Sequence, residues 1–198
     1  MYLFWDIGGV VLTNGWDRHA RAEAARQFQF DPDDFEARHV RVIDAFDSGR
    51  MGLEEYMTDT LFFRPREFTR DSFRNFIYSQ SKPFPDVLRV AELFATDQRC
   101  FMAALNNESF ALNQYRIERF ELRRYFRCFF SSCYLGVRKP DSRIYELALH
   151  LTQAPPADCV FIDDRRENLE SARRLNMRTV QFVTAEQLRE DVTKALKS

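Results

Sequence analysis

The stretch Y-L-F-W-D-I-G-G-V-V at residues 2–11 determines how the rest of this chain folds. The apolar run from Tyr2 to Trp5 predicts a buried strand, and that strand ends at Asp6. Gly8 and Gly9 follow closely and favour a tight turn, because glycine adopts backbone conformations that other residues avoid. A carboxylate at the carboxyl end of a buried strand lies in a crevice where ligands bind, so Asp6 is a candidate functional residue.

Three later segments also carry polar residues near the end of an apolar run. They are Asn106-Asn107, Lys139 in G-V-R-K-P, and Asp163-Asp164 in V-F-I-D-D. Each has an ordinary explanation by itself, since asparagine and aspartate often cap helices or form turns, and a lysine is usually solvated. In an open parallel sheet, however, residues at the strand ends meet at one edge, so we expect these segments to converge on Asp6.

Composition bounds the kind of protein. A length of 198 residues suits one domain with a modest insertion. The net charge of −1 leaves no basic surplus for nucleic-acid phosphates. Neither the four cysteines nor the three histidines have the spacing of a zinc site or a disulfide framework. No apolar run approaches the ~18 residues of a membrane span, so we expect a soluble protein of a reducing cytoplasm, with no nucleic-acid or membrane partner.

The pattern along the chain predicts an α/β fold with strands and helices in alternation. Predicted strands cover residues 2–6, 99–105, 127–131, 159–162 and 179–183, and predicted helices cover 85–95, 109–119, 141–152, 166–175 and 184–197. Asp141 and Thr184 are the expected N-caps of two of these helices. Strands that alternate with helices favour a parallel sheet.

The interval from about Asn14 to Lys82 interrupts this alternation. It has no convincing strand and predicts four helices: Trp16 to Phe28, Pro32 to Phe46, Leu53 to Phe63, and Arg66 to Ser79. Many of the chain's 20 phenylalanines lie here, and we expect most of them to form the core of a helical bundle. The alternative is that some line an apolar pocket or a dimer surface. The segment is therefore interpreted as an insertion after the first strand.

Taken together, the motifs resemble those of the haloacid dehalogenase superfamily. The matching residues are F-W-D-I-G-G-V-V at 4–11, L-N-N-E at 105–108, G-V-R-K-P at 136–140 and F-I-D-D-R-R-E-N at 161–168. The resemblance implies a Rossmann-like core of residues 1–13 and 83–198 with strand order 3-2-1-4-5. It also implies that residues 14–82 form a four-helix cap of the superfamily's first type.

The resemblance further implies a magnesium-dependent phosphatase that acts on a small phosphorylated metabolite. Asp6 would attack phosphorus and form an aspartyl-phosphate, and Lys139 and Asn106 would be the other catalytic residues. Mg²⁺ would be held by Asp6, Asp163, Asp164 and the Gly8 carbonyl. Substrate would be bound by residues of three motifs, namely Gly8, Gly9, Asn106, Asn107 and Lys139. Asn168 is expected either to support the metal loop or to lie on a helix surface.

Two positions depart from the superfamily's phosphatase pattern. Its phosphatases usually carry a second aspartate two residues after the nucleophile as the general acid and base, and here that position is Gly8. Glu108 or an acid from the cap is a candidate replacement, and a good leaving group or slow turnover are the alternatives. The other departure is Asn106, which stands where a serine or threonine is usual, although an amide N–H can also donate to a phosphoryl oxygen.

Two other functions stay open at this point. A carbon–halogen hydrolase would also use an aspartate nucleophile without the second aspartate, but it would not need the acidic pair Asp163-Asp164. A protein with a phosphate-binding crevice and weak catalysis would fit Gly8 and Asn106. The sequence leaves the oligomeric state undetermined.

Overall fold

The chain folds into a five-stranded parallel sheet with helices on both faces and a four-helix insertion after the first strand, in a computed structural model that describes residues 1–196. The elements in chain order are β1 (Tyr2–Trp5), α1 (Arg18–Phe28), α2 (Pro32–Asp47), α3 (Leu53–Thr60), α4 (Arg70–Ser79), α5 (Pro85–Thr96), β2 (Phe101–Asn106), α6 (Phe110–Arg119), β3 (Cys128–Ser131), α7 (Ser132–Leu135), α8 (Ser142–Thr152), β4 (Cys159–Asp163), α9 (Arg166–Arg174), β5 (Arg178–Gln181) and α10 (Ala185–Ala195). Short 3₁₀ turns lie at Leu122–Arg124 and Pro156–Asp158.

Strand β1 occupies the centre of the sheet, whose order is β3-β2-β1-β4-β5. Its side chains are apolar on both faces, as a central parallel strand requires. Leu3 and Trp5 pack on one side against a core that includes residues of α5 and α10. Phe4 points the other way, into a core that includes residues of α8 and α9. The predicted α/β class and strand order 3-2-1-4-5 are confirmed.

The predicted elements of the sheet layer are found with shifted ends. Asp141 caps α8 by accepting from the Arg143 N–H, and Thr184 forms a reciprocal capping box with Gln187 at the start of α10. Strand β2 begins at Phe101 and not at residue 99, and β5 ends at Gln181 and not at residue 183. The last residue of the helix predicted over 184–197 lies outside the described residues.

The insertion between β1 and α5 contains four helices around a separate hydrophobic core, to which Leu112 of α6 also contributes. Phe35 and Phe73 are almost fully buried there, and the indole of Trp16 meets both rings edge-on, with centroids 6.2 and 5.7 Å away. The interpretation of most phenylalanines as bundle core is therefore confirmed, while Phe63 is exposed. The boundaries 14–82 of a cap domain remain a prediction.

All four helices of the insertion differ from the predicted bounds, and α2 ends at Asp47, one residue later than predicted. Helix α1 begins at Arg18 because the side chain of Asp17 accepts from the Ala20 N–H and thereby acts as N-cap. Helix α4 begins only at Arg70, since Thr69 caps it in the same way. Helix α3 already ends at Thr60.

Hydrogen bonds join the insertion to the sheet layer at its chain crossings and at the end of α2. At the chain crossings, the Thr13 N–H donates to the Lys82 carbonyl at 2.9 Å, and the Lys82 N–H returns a bond to Thr13 Oγ1 at 3.0 Å. At the end of α2, the Ser132 hydroxyl donates to the Asp47 carbonyl at 2.6 Å. Next to this bond, Gly49 lies so close to the Cys133 carbonyl that a side chain at position 49 would collide with backbone.

None of the helices within residues 1–196 is both long and apolar enough to cross a membrane.

The contact at Gly49 yields a stability prediction with a matched control. Gly49 and Gly136 both have left-handed backbone, with φ of +73° and +70°, but only Gly49 faces backbone atoms. Gly136→Ala should cost roughly 1 kcal/mol from the backbone conformation alone. Gly49→Ala should cost about 1–3 kcal/mol more, because Cys133 must move. Urea unfolding of both variants measures the difference, and equal losses would contradict the close contact.

Candidate active site

The strand register brings the two ends of the sequence together at one edge of the sheet. Trp5 of β1 lies opposite Ile162 of β4, so Asp6 and Asp163 follow at the same level on adjacent strands. Parallel strands are about 4.8 Å apart, which places the two carboxylates within reach of a common partner. The Asp6 N–H donates to the Ile162 carbonyl at 2.8 Å and extends the ladder by one residue. The predicted meeting of Asp6 with the acidic pair is thus confirmed.

Lys139 is the common partner of these two carboxylates. Its Nζ lies 2.9 Å from Asp6 Oδ1 and 2.6 Å from Asp163 Oδ2, and the lysine is 3% exposed. The amide of Asn107 fixes the backbone at this position, because it accepts from the Lys139 N–H at 2.7 Å and donates to the Lys139 carbonyl at 2.8 Å. A lysine that is surrounded in this way is a fixed positive charge next to Asp6.

One ammonium group cannot neutralise all the negative charge around it. Burial raises the pKa of Asp6 to about 8; Lys139 opposes this shift, while Asp163 and Asp164 add to it. Burial alone would lower the pKa of Lys139, but its contacts with Asp6 and Asp163 outweigh burial and raise it. The two directions agree because three carboxylates share a single lysine, which leaves two negative charges without a partner.

The site therefore has the composition of a divalent-cation site. Oxygens of Asp6, Asp163 and Asp164 lie within 4.8 Å of one another, and within residues 1–196 this is the one group of acids, cysteines or histidines so arranged. Oδ1 of Asp164 is buried without a hydrogen-bond partner. Hard carboxylate oxygens in excess of the local positive charge suit Mg²⁺, so the residues present fit the predicted ion.

Asp163 and Asp164 have different surroundings although they are adjacent. Oδ1 of Asp163 accepts from the Arg165 N–H at 2.8 Å, and the Asn168 amide donates to both Asp163 oxygens at 3.0 Å. Together with the bond from Lys139, these bonds occupy both oxygens of the Asp163 carboxylate. Of the two roles expected for Asn168, the structure shows the first, support of the acidic loop. Asp164 keeps a free oxygen for a ligand, and direct metal contact by Asp163 remains a prediction.

Gly9, in the turn after Asp6, leaves room for the carboxylate of Asp164. Gly9 has φ of +83°, and a Cβ there would lie 2.6 Å from Asp164 Oδ2, so only glycine leaves room for this carboxylate. The Gly9 N–H donates to the Leu12 carbonyl at 2.7 Å, and its predicted donation to substrate remains a prediction. Coordination of the metal by the Gly8 carbonyl also remains a prediction.

Asn106 lies at the end of β2 and is 1% exposed. Its amide donates to Asn113 Oδ1 at 3.2 Å and accepts from the Ser131 hydroxyl at 2.8 Å. These two partners were not predicted from the sequence, since an asparagine on a helix and a serine at a strand end carry no distinguishing pattern. One N–H of the Asn106 amide remains for the predicted bond to a phosphoryl oxygen.

Arg116, which is 1% exposed on α6, was also not predicted from the sequence. The guanidinium pairs with the Glu108 carboxylate and donates to Ser81 Oγ and to the Thr13 carbonyl, both at 3.0 Å. It therefore connects both chain crossings of the insertion with the loop after β2. No sequence signal distinguishes this arginine from the many solvated arginines of the chain.

A cavity of about 320 Å³ lies between the insertion and the sheet layer. It has an apolar part with Trp16 and Phe46 and a polar part with charged groups from both layers, its lining being Asn14, Trp16, Asp17, Arg21, His39, Ile43, Phe46, Asp47, Asn107, Glu108, Arg138 and Arg165. Arg21 is already paired with Glu36 at 2.6 Å, and Arg138 with Asp47 at 3.3 Å.

Three titratable groups of the cavity have shifted pKa values. Burial lowers the pKa of His39 to about 4, so its ring is neutral, and Nδ1 lies 2.7 Å from the Tyr56 hydroxyl. Burial raises the pKa of Asp47 to about 6 and that of Glu108 to about 7. Two carboxyl groups that can hold a proton near neutral pH therefore line the same cavity.

The chain is similar in sequence to known hydrolases. The sequence pattern of the family described as haloacid dehalogenase-like hydrolase matches residues 2–176. Flavin mononucleotide hydrolase 1 of Arabidopsis thaliana is 29% identical over 161 residues, which cover 80% of this chain and 63% of that protein. Bifunctional epoxide hydrolase 2 of Sus scrofa is 42% identical over 60 residues, which cover 30% of this chain and only 11% of that protein.

Solved structures share the fold at low identity. A haloacid dehalogenase family enzyme of Bacteroides thetaiotaomicron, in complex with magnesium and inorganic phosphate, has a TM-score of 0.77 at 17% identity, over 91% of this chain and 92% of that chain. L-2-haloacid dehalogenase of Xanthobacter autotrophicus, with chloropropionic acid covalently bound, has a TM-score of 0.63 at 16% identity, over 98% of this chain and 82% of that chain.

The free oxygen of Asp164 leads to a prediction about metal binding. Wild-type protein should bind Mg²⁺ and gain about 2.7 kcal/mol of stability when the ion is at one hundred times its Kd. Asp164→Asn should abolish this binding, and Asn168→Ala should weaken it about 10–100-fold by loosening Asp163. Calorimetric titration measures the affinities. The control is Asp158→Asn, an exposed acid before β4; unchanged binding in Asp164→Asn would refute the site.

Proposed function

The chain belongs to the haloacid dehalogenase-like hydrolase family, and we propose that it is a magnesium-dependent phosphatase that removes phosphate from a small phosphorylated metabolite. The observation that carries this proposal is the position of the buried Lys139 ammonium, 2.9 Å from Asp6 Oδ1 and 2.6 Å from Asp163 Oδ2. A nucleophilic carboxylate next to a fixed positive charge is suited to attack on a dianionic ester.

In the proposed reaction, Asp6 forms a bond to phosphorus while the bond from phosphorus to the ester oxygen breaks. The product alcohol leaves, and water then cleaves the aspartyl-phosphate to release inorganic phosphate and restore the Asp6 carboxylate. Lys139 offsets the charge of the phosphoryl group in both steps, and the Asn106 amide donates to one of its oxygens. Gly8, Gly9 and Asn107 complete the predicted substrate contacts.

Mg²⁺, when bound, would reduce the charge repulsion between the carboxylate and the phosphoryl group. Asp6, Asp164 and the Gly8 carbonyl would hold it, with Asp163 in or near its coordination shell. The free Asp164 oxygen and the two uncompensated negative charges of the site support this assignment. The magnesium and phosphate bound to the Bacteroides enzyme of the same fold support it as well.

The cavity supports a small substrate. Its volume of about 320 Å³ is at the lower end of the range of ligand pockets, roughly 300–1,000 Å³. The insertion supplies most of its lining, and we propose that it acts as a cap that selects the leaving group and excludes water. The Arabidopsis relative is named as a flavin mononucleotide hydrolase, so this phosphate ester is included among the test compounds.

A carbon–halogen hydrolase is the alternative within the same family. It shares the aspartate nucleophile and dispenses with an acid at position 8. The cluster of three carboxylates counts against it, because such a reaction has no use for a divalent cation.

We predict that phosphate release from a panel of sugar phosphates, nucleotides, flavin mononucleotide and an aryl phosphate depends on Mg²⁺. Asp6→Asn should abolish turnover, since an amide is not a nucleophile. Lys139→Met should lower kcat/KM by about 10²-fold or more. Phosphate assays with metal and with chelator measure these effects.

The control for these variants is Lys82→Met, a change of the same kind at an exposed lysine, which should leave the rate close to wild type. Full activity in Asp6→Asn would overturn the proposal. Halide release from a 2-haloacid that persists in chelator would favour the alternative.

A further inference from the structure

The proposed phosphatase needs a proton donor that the usual position does not supply. When the bond between phosphorus and the ester oxygen breaks, an alkoxide leaves unless a proton reaches it in the transition state, and this transfer is commonly worth ~10²–10⁴ in rate. Position 8 is glycine, so the group must come from elsewhere. The inference that follows rests on the proposed function.

The surroundings of Gly8 point to the neighbouring group. A Cβ built at position 8 would lie 3.3 Å from Asn14 Oδ1 and 3.5 Å from Nη1 of Arg116. The same Nη1 contacts Oε2 of Glu108. One guanidinium nitrogen is therefore close to both the glycine and the Glu108 carboxyl group.

Arg116 holds this arrangement rigidly. Its Nε donates to Ser81 Oγ and its Nη2 to the Thr13 carbonyl, each at 3.0 Å, so all three nitrogens have partners. The backbone of Glu108 is fixed as well, because its N–H donates to the Ser132 hydroxyl at 2.9 Å. Glu108 thus has both its main chain and one carboxyl oxygen in defined positions.

Glu108 also lines the cavity in which the leaving group of the substrate would lie, together with Asn14 and Asn107. Its side chain is 9% exposed. Burial raises its pKa to about 7, against the opposing effect of Arg116 and with a further increase from Asp47. A carboxyl group of this kind can carry a proton at neutral pH and give it up within the reaction.

We propose that Glu108 is the general acid and base of this enzyme. Glu108 gives its proton to the ester oxygen as the bond to phosphorus breaks, so the product leaves as an alcohol. The resulting carboxylate, paired with Arg116, then takes a proton from the water that attacks the aspartyl-phosphate. Glu108 is protonated again at the end of the cycle.

Asp47 is the other acid in the cavity, and the geometry disfavours it. Its carboxylate pairs with Arg138, Nη2 to Oδ2 at 3.3 Å, and this arginine belongs to the loop before Lys139. The nitrogen that pairs with Glu108, in contrast, is Nη1 of Arg116, which would lie 3.5 Å from a Cβ at position 8. Asp47→Asn is therefore the comparison variant; because Asp47 also raises the pKa of Glu108, we expect this variant to lower alkyl phosphate hydrolysis selectively but less than Glu108→Gln does.

The test compares two substrates that differ in their need for a proton. Glu108→Gln keeps an oxygen that can accept from Arg116 but cannot transfer a proton. It should lower kcat/KM for an alkyl phosphate by ~10²-fold or more. The loss for an aryl phosphate, which leaves as a stable phenolate, should be at least ten times smaller. Because kcat/KM covers only the steps up to departure of the alcohol, the ratio isolates the acid role.

A rescue variant strengthens the test. Gly8→Asp places a carboxyl group at position 8, where the two nearest atoms, Asn14 Oδ1 and Arg116 Nη1, belong to side chains. Combined with Glu108→Gln, it should restore the alkyl phosphate rate at least tenfold. In the otherwise wild-type protein, Gly8→Asp is expected to change the overall rate, because position 8 is a predicted metal and substrate contact, but it should change the ratio of alkyl to aryl rates by less than about threefold. This ratio does not depend on how well Glu108→Gln folds.

Four results would overturn the assignment of Glu108. They are equal losses for both substrates in Glu108→Gln, a selective loss of alkyl phosphate hydrolysis in Asp47→Asn as large as that in Glu108→Gln, no rescue by Gly8→Asp in the well-folded double variant, and a large gain in the ratio of alkyl to aryl rates from Gly8→Asp alone. Failure of the proposed function is distinguishable, because Asp6→Asn would then retain phosphate release from the aryl substrate.

Discussion

The buried ammonium of Lys139 is the interaction on which the rest of the site depends. It lies between Asp6 and Asp163, on adjacent strands whose carboxylates would otherwise repel each other in a region of low dielectric. Its position is set by the paired amide bonds of Asn107 and not by the flexible lysine side chain alone. The loop after β2, which contains Asn107, therefore sets the position of the Lys139 ammonium between β1 and β4. The sheet order brings the segments of Asp6, Asn107 and Asp163 together.

The charge balance explains why the site suits a cation. Burial raises the pKa of Asp6, and the imbalance between three carboxylates and one ammonium adds to this shift. In the proposed mechanism, Asp6, Asp164 and the Gly8 carbonyl would hold a divalent ion, whose charge would favour the ionised Asp6 carboxylate, the form that is a nucleophile. Metal binding and activation of Asp6 would therefore be electrostatically coupled.

The sequence was sufficient for the fold and for the acidic centre, because both depend on local signals. Apolar runs ending at Asp6 and at Asp163-Asp164 define strands, and strand order with parallel direction brings those ends together. Arg116 could not be predicted, since its burial depends on three partners from distant segments, Thr13, Ser81 and Glu108. The hydrogen bonds of the Asn106 amide with Asn113 and Ser131 were inaccessible for the same reason. Helices α1 and α4 begin later than predicted because single side chains, those of Asp17 and Thr69, act as their N-caps.

Arg116 also gives a physical reason for glycine at position 15. A Cβ at Gly15 would collide with Nη2 of its guanidinium, whereas a Cβ at Gly8 would be in ordinary contact with Nη1 at 3.5 Å. A buried arginine with three fixed partners is costly to displace, so Gly15 and Arg116 constrain one another. The same guanidinium contacts both crossings of the insertion and the Glu108 carboxyl group. Movement of the insertion would therefore alter the charge environment of Glu108, and closure over a substrate would set the geometry in which this carboxyl group meets the leaving oxygen.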